Sequence, residues 1–285
     1  MSDAADPRRS ELDTQALHHN VRHAINAMAM AASLLGCQST AFAAESVWLE
    51  DFERLPIGQH WLGMQDAAVT AGCGVNASNC LRVAYRPNRT WGETGSPVIW
   101  AAQPLPPARE YTLNYDLLFE NDFEFVRGGK LPGLAPARWS SGCRAIAPEQ
   151  WSVRLMWRAE GRLQLYTYHQ DREDPCGDQD YAAAFGFERN RYYAVSLHVR
   201  LNTDGDTADG VEELFVDGAS VAQRKAVRLR GAAGAATLIN TMLFNTFFGG
   251  TNRPFQSWYP STTVHARFDN FAVYAGTRIR AKPGS

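Results

Sequence analysis

The sequence predicts an all-β protein, a two-sheet antiparallel sandwich of the jelly-roll type. Three observations carry this prediction. Short segments alternate apolar and polar residues with a period of two, the pattern of half-buried strands. Turn residues separate these segments throughout, and beyond the N-terminal leader no stretch reads as a long amphipathic helix. The 8 Trp, 10 Tyr and 14 Phe supply the aromatic content that strands favour.

Residues 1–44 stand apart as a leader. A polar stretch with Arg8, Arg9 and Arg22 precedes a mildly apolar run from Ala24 to Gly36, and Ala41-Phe42-Ala43 offers an A-x-A cleavage site before Ala44. This reads as a cleaved signal peptide. Leu34-Leu35-Gly36-Cys37 gives a second reading, a lipoprotein attached through Cys37, and a disordered leader is the third. The apolar run is too short to span a bilayer. Residues 45–285 read as a single β domain, long enough to bury a real core, secreted or periplasmic and monomeric.

Outside the leader stand Cys73, Cys80, Cys143 and Cys176, an even set with no C-x-x-C. Proximity selects Cys73–Cys80 and Cys143–Cys176 from the possible pairings, in an oxidising compartment. The net charge of −2 gives no reason to expect a nucleic-acid partner. Any attraction for a polyanion has to come from a local basic patch.

In chain order, 47–53 is a first strand. Residues 63–95 read as loop-rich, with the sequons at Asn76 and Asn88 on the surface. PLPPAR (104–109) reads as a breaker. REYTLNYDLLFEND (109–122) alternates well, with Tyr111, Leu113, Tyr115, Leu117 and Phe119 on one face. DFEFVRGGKLPGLA (122–135) reads as a Gly- and Pro-punctuated loop carrying Lys130. Strands follow at 191–202 and 211–222, the latter a hairpin turning at Asp217-Gly218, and again at 237–250 and 262–276.

The clearest element is the hairpin WSVRLMWRAEGRLQLYTYHQ (151–170). Trp151, Val153, Leu155 and Trp157 alternate with Ser152, Arg154, Met156 and Arg158. Ala159-Glu160-Gly161 suits a three-residue loop with Gly161 in the left-handed position. That loop sets Met156 opposite Gln164, Arg154 opposite Tyr166 and Ser152 opposite Tyr168. Paired residues share a face, with Cβ atoms roughly 4.5–5.5 Å apart. Two tyrosines, an arginine and a serine therefore form one patch on the less apolar face.

GGKLPGL (128–134), SGC (141–143), WSVRLMW (151–157), LYTYH (165–169), LFVDG (214–218), FNTFFGG (244–250) and FDNFAVY (268–274) together resemble polysaccharide lyases of family fourteen. These are alginate and glucuronan lyases with a jelly-roll fold. The resemblance runs from about Tyr111 to Tyr274. It implies that Lys130, Arg154, Tyr166 and Tyr168 are catalytic and that Ser152 contributes to the site; Gln164, on the same face, would help Ser152 hold the sugar. It also implies β-elimination on a 4-linked polyuronate, an acidic polysaccharide, with no cofactor.

The chemistry suits these residue types. Elimination removes the proton alpha to the uronate carboxylate, which is weakly acidic until that charge is neutralised. Arg154 can bind the carboxylate bidentately, and Lys130 adds a second positive charge. Nearby cations favour a phenolate, so Tyr166 or Tyr168 is expected as base and the same or the other tyrosine as acid, with Lys130 as the alternative base. Arg127, Arg138, Arg144 and Arg158 are candidates for making the surroundings basic.

Two other classes remain open at this point. Glu120, Asp122 and Glu124 alternate on a strand, as the paired acids of a glycoside hydrolase would, although a solvated strand edge is the simpler reading. A non-catalytic acidic-polysaccharide-binding module is the other. Asp204, Asp206 and Asp209 depart from the EF-hand order and read as a polar turn. The histidines form no HExxH or HxH, so no metal site is expected. His169 falls on the apolar face, at the core or rim.

Overall fold

Period-two alternation becomes two antiparallel sheets in a computed structural model, which describes residues 45–54, 66–87, 99–249 and 258–285. Its first strands are β1 (Trp48–Glu50), β2 (Ala67–Thr70), β3 (Cys80–Tyr85), β4 (Ile99–Ala108) and β5 (Glu110–Phe119). Then come β6 (Gly128–Ala135), β7 (Ser152–Arg158), β8 (Arg162–Tyr168), β9 (Asp178–Gly186) and β10 (Tyr193–Arg200). The last are β11 (Gly210–Val216), β12 (Ala219–Val227), β13 (Ile239–Phe248) and β14 (Val264–Ala275). One sheet runs β12-β11-β10-β5-β14-β3-β2, with β1 also on β14; the other runs β4-β13-β6-β7-β8-β9. The all-β jelly-roll expectation holds.

The alternating faces meet as predicted. Leu113, Tyr115, Leu117 and Phe119 of β5 and Val153, Leu155 and Trp157 of β7 are wholly buried in one core. Tyr85, Phe119, Phe123, Trp157 and Phe248 pack with ring centroids 4.4–5.7 Å apart. Such aromatic pairs add roughly 0.5–1.5 kcal/mol each beyond their burial. Residues 44–285 form one compact unit.

Three stretches read as breaker, loop or loop-rich contain strands. Pro104, Pro106 and Pro107 lie in β4, an edge strand, where a missing N–H need not interrupt a ladder on the open side. Residues 67–70 and 80–85 pair as β2 and β3 on the margin of the larger sheet. The third correction matters most. Lys130 stands not on a loop but in β6, buried along its whole length between β13 and β7. Both ladders shift register near Pro132, which cannot donate a hydrogen bond. Glycine permits the close approach: a Cβ on Gly129 would lie 2.2 Å from the Trp157 ring, and one on Gly133 would lie 2.1 Å from the Val153 carbonyl oxygen.

Both expected disulfides are present, Cys73–Cys80 and Cys143–Cys176. Gly161 (φ 74°) is left-handed as expected, and so is Glu160 (φ 62°). The β11–β12 hairpin turns at Asp217 and Gly218, both at positive φ. Asn76 is exposed, whereas Asn88, Cys37 and the leader lie outside the described residues. Asp204 accepts backbone N–H bonds from Asp206 and Thr207, a plain polar turn. No helix among the described residues is long and apolar enough to cross a membrane.

Candidate active site

The strand registers assemble the site as two cross-strand rows on the face of the six-stranded sheet turned away from the core. One row runs Leu243–Gly133–Arg154–Tyr166–Gln179 and the other Phe247–Lys130–Met156–Gln164–Tyr181. Ser152 and Tyr168 form a third pair. The hairpin register read from the sequence is the observed one. Lys130, Arg154, Ser152, Gln164, Tyr166 and Tyr168 all share this face.

The face is not an open, solvated surface. Ser152, Gln164 and Tyr168 are fully buried, and Arg154, Tyr166 and Lys130 are 2%, 6% and 7% exposed. Part of the cover is the segment 136–151 between β6 and β7. Ser152 Oγ donates to the Ser140 carbonyl (3.0 Å), and the Cys143 N–H donates to the Tyr168 hydroxyl (3.0 Å). Ile146 packs on Met156, Tyr166 and Tyr168. The Cys143–Cys176 disulfide ties this segment to the β8–β9 connection. Ser152 therefore anchors the cover, a role the sequence reading did not give it.

Within this enclosure Lys130 Nζ lies 3.1 Å from the Tyr166 ring centroid and 2.7 Å from Met156 Sδ. Arg154 spreads over both tyrosines, its Cζ 5.6 Å and 5.8 Å from the rings of Tyr166 and Tyr168. The two hydroxyls are 3.4 Å apart. Gln164 donates to Gln179 (3.2 Å), while its own carbonyl oxygen has no partner. Arg154 Nε is likewise buried without a partner, and no carboxylate pairs with Arg154 among the described residues.

Burial sets the protonation states. Desolvation, reinforced by the charges of Arg154 and Arg158, holds the Lys130 amine well below the usual lysine range. Desolvation, then the neighbouring Tyr168, pushes the Tyr166 phenol upward, and the opposing pull of Arg154 is smaller. The expectation that nearby cations make Tyr166 a ready phenolate therefore fails, because loss of solvation outweighs their attraction. Arg154 is disfavoured as a cation by burial, yet a guanidinium stays charged.

The remaining candidates fall elsewhere or at the margins. Arg127 and Arg158 lie over the Trp258 ring, at 4.8 and 5.5 Å. Arg138 reaches Glu149 at 3.6 Å. The Arg144 carbonyl accepts from Arg172, whose guanidinium covers Tyr168 at 5.5 Å. His169 is buried between Asp178 and Arg224, away from this face. The sequence reading missed Arg172 and Tyr181, the latter exposed at the row's end with Arg162 over its ring. Neither belongs to an alternating pattern that would flag it.

The rival acids do not alternate on a strand: they follow the end of β5, at the margin of the other sheet, and none of them lies in a strand. Arg82 and Arg267 both bond Glu120, and their neighbours Leu81, Val83, Ala266 and Phe268 point into the core. These ion pairs hold the Glu120 carboxyl down at about 2. Asp122 bonds His265 (2.9 Å) and Glu124 bonds Ser261 (2.6 Å). Ligand atoms of Glu120, Asp122 and His265 lie within 4.8 Å of one another, but the arginines already balance Glu120. A general acid must hold a proton near neutral pH, and Glu120 does not.

Fold and face define a class: a jelly roll with a buried cluster of cationic and tyrosine side chains on one sheet. The description of polysaccharide lyase 14 matches residues 75–271, and the chain belongs to that family. It is a polysaccharide lyase. Solved structures share the fold. An alginate lyase from Aplysia kurodai superposes with a TM-score of 0.65 at 23% identity, over 81% of this chain and 100% of that one. An alginate lyase from Chlorella virus gives 0.61 at 21% identity, over 75% and 90%. An endo-β-1,4-glucuronan lyase from Trichoderma reesei gives 0.53 at 14% identity, over 85% and 100%. Comparison with curated proteins returns no match.

Proposed function

We propose that this chain cleaves a 4-linked polyuronate, alginate or glucuronan, by β-elimination without a metal, outside the cytoplasm. The observation that carries the reading is Arg154, a buried cation with no anionic partner among the described residues. An unpaired buried charge costs several kcal/mol, and a uronate carboxylate seated against it relieves that cost. The same pairing withdraws charge from the carboxylate and acidifies the alpha proton at C5.

The electrostatics favour Lys130 over Tyr166 as base. Its amine, held toward neutrality, takes the C5 proton and becomes an ammonium that the bound carboxylate stabilises. Tyr166 keeps its proton and gives it to O4 as the C4–O4 bond breaks. The C5–H electron pair becomes the C4=C5 double bond, so the products are an unsaturated sugar and a free hydroxyl. Tyr168, in contact with Tyr166 and held by the Cys143 N–H, orients the acid. Solved alginate and glucuronan lyases of the same fold support the substrate class.

The test is ultraviolet absorbance while the protein acts on polymannuronate, polyguluronate and glucuronan in parallel. A rise on one polymer, lost in Lys130→Ala, is the expected result. Binding without any rise would sink the lyase mechanism for these polymers and leave the binding-module reading.

A further inference from the structure

FNTFFGG contains a residue that no step above uses. Asn245 of β13 is wholly buried, and neither its Nδ2 nor its Oδ1 has a hydrogen-bond partner among the described residues. Its neighbours face the core, Phe244 against Phe268 and Phe271 and Thr246 against the Tyr85 hydroxyl. Asn245 therefore points to the other face. There it pairs with Trp100, whose ring lies 6.1 Å from Phe247, the residue opposite Lys130.

Its position along β13 is between the two rows of the site, one strand repeat (~6.6 Å) from Leu243 and one from Phe247. Across β6, Gly133 separates the Leu243 position from Arg154 and offers no side chain. The Arg154 stem leans over that gap, since a Cβ on Gly133 would meet Arg154 Cγ at 2.9 Å. Two orphaned polar groups, the Asn245 amide and Arg154 Nε, thus lie on one face on either side of β6, which presents no side chain at Gly133.

A buried polar group left unpaired costs roughly 1–3 kcal/mol, and native proteins keep few of them. We infer that Asn245 is a substrate-binding residue that completes the seat of one uronate with Arg154. The amide N–H meets a carboxylate oxygen, and the amide carbonyl accepts a hydroxyl of the same sugar. An acidic sugar presents both groups, and a paired donor and acceptor matches them. This deepens the polyuronate reading and rests on it.

Asn245→Leu keeps the size and removes both polar atoms; Asn245→Asp keeps the shape and adds a negative charge. Each is compared with wild type for melting temperature, for KM and kcat on the polyuronate that wild type cuts, and for oligouronate binding by calorimetry. The expected result for the leucine variant is an equal or higher melting temperature with KM raised about tenfold or more. The aspartate variant should bind more weakly still. If wild type cuts and both variants match its KM, the inference falls and the lyase reading stands. Should the leucine variant fail to fold, the aspartate KM alone decides. If wild type neither cuts nor binds any polyuronate, both readings fall together.

Discussion

Lys130 and Tyr166 make one unit, an amine over a phenol ring at 3.1 Å, and burial drives their acidities in opposite directions. Removing either partner in the proton transfers should lower kcat by about 10²–10⁴-fold, measured as Lys130→Ala and Tyr166→Phe with unchanged melting temperature. Lys130→Arg separates charge from basicity: an oligouronate should still bind, while turnover is lost. The pH profile has a definite sign. The base must be unprotonated, so kcat/KM should climb with pH through a midpoint below the 10.5 of a free lysine. A midpoint at or above that value would mean that Lys130 is not the base. That Arg154, Tyr166 and Tyr168 share one face was legible from strand alternation and the three-residue turn, and Lys130 was marked by the motif order. The protonation states were not, because desolvation depends on the segment laid over the face.

At the scale of elements, the covering segment and the strand beneath the tyrosines each carry a prediction. Replacing Cys143 and Cys176 by serine releases a bridge spanning 33 residues, worth about 3–4 kcal/mol of stability by chain entropy. It should also lower activity, because the Cys143 N–H that fixes the Tyr168 hydroxyl loses its tether. Equal activity in a variant that melts earlier would reduce the disulfide to a purely structural role. Under β8, Thr167 donates to Glu212, a fully buried carboxyl on β11 whose pKa desolvation raises from 4.5 to about 7. The folded protein holds this proton where the unfolded chain has lost it. The stability linked to it is full below pH 4.5, falls as pH rises, and is gone above about 7, a change of about 3 kcal/mol. Glu212→Gln should therefore raise the melting temperature at pH 8 and leave it nearly unchanged at pH 4. Two of the strands that differ from the sequence expectation, β4 and β6, share one cause. Proline and glycine in β4 and β6 are penalised on average, but an open edge and a bulge remove the penalty.

At the scale of the whole molecule, the two sheets divide the work. The sheet containing β7 and β8 holds the candidate site, while Glu120 at the margin of the other sheet is locked by Arg82 and Arg267. Glu120→Gln should destabilise the fold, since it leaves two arginines underpaired, yet keep kcat within about twofold and the product unsaturated. Loss of turnover without loss of folding would revive the hydrolase reading. The sequence by itself determined the all-β class, both disulfides and the register that sets Arg154 against Tyr166 and Ser152 against Tyr168. These follow from local periodicity, turn chemistry and proximity along the chain. Only the tertiary structure decided that Lys130 lies in a strand between β13 and β7, that Ser152 holds the covering segment, and that Asn245 reaches the same face. Each of these depends on partners far away in the chain, and burial, which sets charge and leaves polar groups unpaired, exists only once those partners have met.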